Sequence, residues 1–145
     1  MVSRIMVIGA SEAGKSTLLN VLHGFGPQSC KTQSLEFSAR TVDTPGEYAE
    51  NPRYYRALLA TAMDVEYVLF VQDATRENCI FPPGMGQIFP GYTLGVVTKS
   101  DHPAACVPRA LELLETVALK GDVIAVSALT GAGMDELKRK IGWPD

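Results

Sequence analysis

Residues Gly9-Ala10-Ser11-Glu12-Ala13-Gly14-Lys15-Ser16 fit G-x-x-x-x-G-K-[ST], the spacing of a phosphate-binding loop. Two glycines let successive backbone N–H groups turn to one side. Those groups and the start of the following helix form a nest for an anion. Lys15 can reach β- and γ-phosphates, and the Ser16 hydroxyl can ligate Mg²⁺. The flanks supply the context the motif requires. An apolar run, Ile5-Met6-Val7-Ile8, leads in, and Thr17-Leu18-Leu19-Asn20-Val21-Leu22 reads as a helix leading out.

Further groups complete a nucleotide site. Asp43-x-x-Gly46 follows a strand ending in Val42. There a carboxylate can hold a Mg²⁺-bound water, and the Gly46 N–H can meet a γ-phosphate. Thr98-Lys99-Ser100-Asp101 resembles the base-reading motif [NT]-K-x-D. Asp101 is an acceptor-only carboxylate, and guanine offers two adjacent donors on its Watson–Crick edge, which adenine lacks. The Lys99 stem can lie along a base. Ser127-Ala128 can give backbone N–H groups to the guanine oxygen. Thr32 lies in the loop after the first helix, which resembles the place where GTPases carry a threonine whose hydroxyl closes on Mg²⁺.

These loops need a scaffold, and the chain alternates strand and helix throughout. Strands are expected over Arg4–Gly9, Ser34–Phe37, Arg40–Asp43, Tyr67–Val71, Thr93–Thr98 and Val123–Val126. Ser34–Phe37 and Arg40–Asp43 read as an antiparallel hairpin at the sheet edge. Helices are expected from Lys15 to His23, from an Asn51 cap with Pro52 at the first position to about Met63, over Ala110–Val117, and from Met134 to Ile141. Asp43–Tyr48 reads as a turn-rich loop, and Asp73–Pro90 as a long irregular one with a short helix at best. The fold class is α/β: a three-layer P-loop domain over residues 1–145, with a mostly parallel six-stranded sheet and one antiparallel edge strand.

Composition narrows the partners. The chain has 145 residues, 46% of them apolar, and a formal net charge of −3. That offers no electrostatic footprint for nucleic acid and no polybasic membrane patch. The apolar runs are too short to span a bilayer, and the first residues lack a signal-peptide layout. Three widely spaced cysteines, Cys30, Cys79 and Cys106, argue against a disulfide framework or a Cys-rich zinc site. A reducing cytoplasmic setting is expected.

The chain resembles a small Ras-like GTPase and, more closely, the EutP/PduV family linked to ethanolamine and propanediol utilisation. The resemblance covers nearly the whole chain. It rests on Gly9 to Ser16, Lys31-Thr32-Gln33, Asp43-Thr44-Pro45-Gly46-Glu47-Tyr48, Tyr55-x-x-Leu58-Leu59, Thr98-Lys99-Ser100-Asp101 and Val126-Ser127-Ala128. It implies a bacterial protein that binds Mg²⁺ and GTP, with ATP as the alternative. It also implies an association with a metabolic microcompartment, through shell or enzyme proteins. Many GTPases carry Gln after D-x-x-G to orient the attacking water, whereas here the residue is Glu47. A carboxylate there is repelled by a γ-phosphate or serves as a base, so fast intrinsic hydrolysis is not expected. No arginine finger in the same chain is evident; Arg40, Arg53 and Arg56 are nearest in sequence.

Three functions remain open. One is a GTP-binding switch with slow hydrolysis, in which Lys15, Thr32, Gly46 and Glu47 serve the chemistry. The second is phosphoryl transfer from ATP to acetate on the same loop, an activity met on the EutP side of the family, with Tyr48, Arg53 and Tyr54 as candidate pocket residues. The third is a non-catalytic microcompartment-targeting module.

Overall fold

A computed structural model describes residues 4–24 and 41–143. Its sheet is built from β1 (Ile5–Gly9), β2 (Thr41–Asp43), β3 (Tyr67–Asp73), β4 (Tyr92–Thr98) and β5 (Val123–Ala125). The order is β2-β1-β3-β4-β5, and every pairing is parallel. The helices are α1 (Lys15–Leu22), α2 (Gly46–Glu50), α3 (Tyr55–Ala62), α4 (Met85–Ile88), α5 (Val107–Glu115) and α6 (Met134–Lys140).

The strands read as continuous apolar runs because both sheet faces are covered. Successive side chains point to opposite faces. Ile5, Val7, Leu69, Val71, Leu94 and Val96 meet α1 and α6 through Leu18, Leu22 and Leu137. Met6, Ile8, Val68, Phe70 and Val97 meet α3 and α5 through Leu58, Ala62, Ala110 and Leu114. Trp143 closes the first layer, and its indole N–H donates to the Leu22 carbonyl at 2.9 Å, at the end of α1. On the other face the Phe70 ring is fully buried and meets the Phe81 and Phe89 rings edge-on, at 4.9 and 5.3 Å.

The described sheet has five parallel strands, against six expected with one antiparallel edge. The expected edge strand Ser34–Phe37 lies outside the described residues, as do Thr32 and its neighbours Lys31 and Gln33, Arg40 and Cys30. On its described side, Thr41–Asp43 pairs parallel with β1, with Ile5 opposite Thr41. A second difference concerns Asp43–Tyr48, expected as a loop. Its second half is the start of α2. Pro45 enters that helix with φ −59°, Glu47 suits the positive end of its dipole, and Ala49 is fully buried in the core. Asn51 caps as expected, its Oδ1 accepting from the Arg53 N–H at 3.1 Å. The first turn after it, Pro52–Tyr54, is a 3₁₀ turn that runs into α3. Asp73–Pro90 carries one short helix, α4. Among the described residues, no helix is long and apolar enough to cross a membrane.

In a parallel sheet all strand ends of one kind share an edge. The carboxyl ends of β1, β2, β3 and β4 therefore present Gly9, Asp43, Asp73 and Thr98 together. The chain passes from β1 to β2 on one side and then to β3 on the other, so the strand order reverses at β1, where such sheets open a crevice.

Phe70→Ala is expected to cost about 3–5 kcal/mol of stability. Denaturant titration checks this; a loss below about 1 kcal/mol would contradict close packing of the three phenylalanines.

Candidate functional site

The phosphate loop leaves β1 and enters α1 through a tight path. Gly14 has φ +97°, a region open to glycine, and Glu12 occupies φ +65°, which a side chain tolerates poorly. The loop is held from outside. The Thr98 hydroxyl donates to the Ala13 carbonyl at 2.6 Å. The Lys99 ammonium donates to the Glu12 carbonyl at 3.0 Å and to Asp73 Oδ2 at 2.8 Å. Thr in place of Asn in the base-reading motif therefore still ties to the loop.

Lys15 begins α1 and is almost fully buried. Its ammonium donates to the Gly9 and Ala10 carbonyls, each at 3.0 Å. Burial pulls its pKa below the ordinary 10.5, while Asp43 and Glu50 pull it back up. Among the described residues no carboxylate lies within ion-pairing distance of it. A buried cation in that condition attracts an anion.

Ser16, the next residue, donates its hydroxyl to Asp43 Oδ2 at 2.7 Å. A hydroxyl and a carboxylate are hard oxygen donors, suited to Mg²⁺. Among the described residues no group of three or more His, Cys, Asp or Glu could hold a metal. Mg²⁺ commonly keeps several waters and takes further oxygens from phosphates, so two protein oxygens such as those of Ser16 and Asp43 suit it.

Among the described residues, two sizeable cavities adjoin this loop. One, of about 260 Å³, is lined by Glu12, Gly14, Lys15, Ser16, Thr17 and Lys99. The other, of about 280 Å³, is bordered by Gly14, Thr17, Lys99, Asp101, His102 and Ala128, among others. Gly14, Thr17 and Lys99 belong to both, so the two lie side by side. At the second, Asp101 Oδ1 accepts from the Ser127 hydroxyl at 2.6 Å. Ser127 is fully buried and its Oγ also accepts the Thr130 N–H at 3.1 Å. That fixes one carboxylate oxygen and leaves Asp101 further acceptor capacity.

Above the loop, Thr44 anchors α2 by donating to the Val7 carbonyl at 2.9 Å. Gly46 packs so closely that a Cβ there would overlap the Ser11 backbone. Glu50 Oε2 accepts the Ser11 N–H at 2.9 Å. Glu47 is exposed on the same helix. Tyr48 and Tyr54 stack with centroids 4.6 Å apart, and the Arg53 guanidinium lies 5.6 Å over the Tyr54 ring.

The structure thus gathers Gly9 through Thr17, Asp43 and Gly46 at one place, and Thr98, Lys99, Asp101, Ser127 and Ala128 beside it. Sequence reading missed Asp73 and Glu50. Asp73 was legible as the first acid after an apolar strand. Glu50 carried no signal, because its partner is a backbone N–H.

Burial works against ionisation of Asp73, but hydrogen bonds from Lys99 and Thr75 outweigh it and hold its carboxyl below the ordinary 3.8. As pH falls, the unfolded chain then takes up this proton first. The stabilisation from the Asp73–Lys99 pair is full above about pH 4–5 and is lost as pH falls through the lowered value. The stability gap between the native chain and Asp73→Asn should be constant from neutral pH to about pH 5 and shrink below about pH 4. A gap unchanged at pH 3 would contradict the ionised pair.

The PduV-EutP pattern, described as "Ethanolamine utilisation - propanediol utilisation", matches residues 2–142. The chain is 36% identical over 137 residues to propanediol utilization protein PduV of Citrobacter freundii, covering 92% of this chain and 89% of that protein. It is 38% identical over 113 residues to the Escherichia coli protein named "Probable acetate kinase EutP", covering 77% and 71%. Among solved structures, elongation factor SelB of Methanococcus maripaludis, in complex with the GTP analogue GppNHp, superposes with a TM-score of 0.62 at 23% identity. That likeness covers 97% of this chain and 33% of SelB, and shows a shared fold.

Proposed function

The chain belongs to the PduV-EutP family of ethanolamine and propanediol utilisation, and from that premise we propose that it is a GTP-preferring nucleotide-binding protein with slow hydrolysis or a switch role. The observation that carries this reading is the pair of adjoining cavities that share Gly14, Thr17 and Lys99. One is bounded by Lys15 and Ser16, the other by Asp101 held against Ser127.

In this reading the nest N–H groups and Lys15 bind the β- and γ-phosphates. Asp101 accepts from the guanine edge, with the Lys99 stem along the base and Ala128 N–H toward the guanine oxygen. Ser16 and Asp43 hold Mg²⁺, joined by Thr32. When bound, Mg²⁺ neutralises charge on the transferring phosphoryl group. Gly46 offers its N–H toward the terminal phosphate. Glu47, in place of a neutral amide, repels that phosphate and keeps water attack slow. Ser34–Phe37 belongs to the same picture as a sixth, antiparallel edge strand. The setting is cytoplasmic, beside microcompartment shell or enzyme proteins.

A second reading is favoured by the name of the EutP relative and by Glu47. The same loop would pass a phosphoryl group from ATP to a small acid such as acetate. Phosphoryl transfer depends mostly on positioning and charge, so one site can serve either acceptor. A targeting module without turnover is the third.

Lys15→Ala is expected to lower triphosphate affinity at least about a hundredfold, the scale of a lost charged contact; unchanged affinity by calorimetry would remove the site assignment. Asp101→Ala should weaken GTP far more than ATP, and equal losses for both nucleotides would remove the guanine preference. Shell localisation that survives Lys15→Ala would favour the targeting module.

A further inference from the structure

The far end of the phosphate loop already holds an anion from the chain itself. Glu50, the last residue of α2, accepts the Ser11 N–H at 2.9 Å. Its charge also acts on Lys15. At the opposite end of the same short helix, Gly46 lies hard against the Ser11 backbone. The helix is therefore clamped over the loop at both ends, with Ala49 buried between them and Thr44 tied to β1.

The direction of a bound nucleotide follows from the cavities. The Asp101 cavity takes the base, and the Lys15–Ser16 cavity takes the phosphates nearest to it. Ser11, Gly46 and Glu50 border neither cavity, and in the nucleotide reading above only the terminal phosphate of a triphosphate extends to them. Two like charges cannot share the one Ser11 N–H, and each repels the other.

We propose that Glu50 is a specificity-determining residue: its carboxylate stands in for the terminal phosphate at the Ser11 N–H and must leave before a nucleoside triphosphate can seat fully. The inference rests on the nucleotide reading above. A diphosphate leaves the Glu50–Ser11 contact in place and keeps α2 on the loop. A triphosphate displaces the carboxylate and frees the end of α2. Glu50 thus sets the preference between the two nucleotides and couples the terminal phosphate to the position of α2.

The test is calorimetric titration of the native chain, Glu50→Gln and Glu50→Ala with Mg²⁺-GppNHp and with Mg²⁺-GDP. Thermal melts establish that each variant is folded. Both variants should bind GppNHp about tenfold tighter than the native chain does, with GDP affinity unchanged. Hydrogen exchange in the native chain should show peptide 46–50 less protected with GppNHp than with GDP. An unchanged affinity ratio in both folded variants, with native binding intact, would overturn the role of Glu50 alone. Weaker GppNHp binding in the variants would also overturn it, since Glu50 would then be assisting the triphosphate. Failure of the native chain to bind either nucleotide would overturn the nucleotide reading and this inference together.

Discussion

The site depends on holding one loop in a conformation its own residues resist. Glu12 at φ +65° and Lys99 at φ +61° each occupy a region that costs a side chain about 1–3 kcal/mol. The two are joined, since Lys99 donates to the Glu12 carbonyl. The adjacent Thr98 bond to Ala13 and the Asp73 carboxylate against the Lys99 ammonium lock the arrangement. The phosphate loop is thus pressed into shape by the carboxyl ends of β3 and β4. Thr98 and Lys99, which contact the loop, also border the Asp101 cavity, so the proposed phosphate seat and base seat share residues.

Charge gives that unit its chemistry. Lys15 is buried among carbonyls and its pKa is pulled down by desolvation. Three acids stand around the same loop in different states. Asp43 is engaged by Ser16, Asp73 is committed to Lys99, and Glu50 occupies the Ser11 N–H. Only Asp73 has a cation in direct contact among the described residues. The others are placed to answer an incoming anion or cation. That arrangement suits a polyphosphate with a divalent ion better than a neutral ligand.

Much of this was legible in the sequence because it depends on local patterns. The glycine spacing of Gly9 to Ser16, the apolar run before it and the Asn51-Pro52 cap are fixed by backbone sterics and hydrogen bonding within a few residues. Asp43 and Thr98 to Asp101 were legible because they follow strands. What could not be read was decided across the fold. Helix α2 depends on Ala49 finding the second core and on Gly46 fitting against Ser11, contacts between segments some 35 residues apart. The Glu50 contact joins a side chain to a main-chain N–H, which leaves no mark in residue types. Asp73 gains its role from strand register, which sets it opposite Thr98.

The central claim is that the two cavities form one guanine nucleotide site. It is tested most directly by titrating the native chain with Mg²⁺-GTP and Mg²⁺-ATP, each with and without acetate, following binding and nucleotide loss together. The account predicts tighter binding of GTP than of ATP, with slow loss that acetate does not change. Preferential ATP binding with acetate-dependent consumption would contradict it.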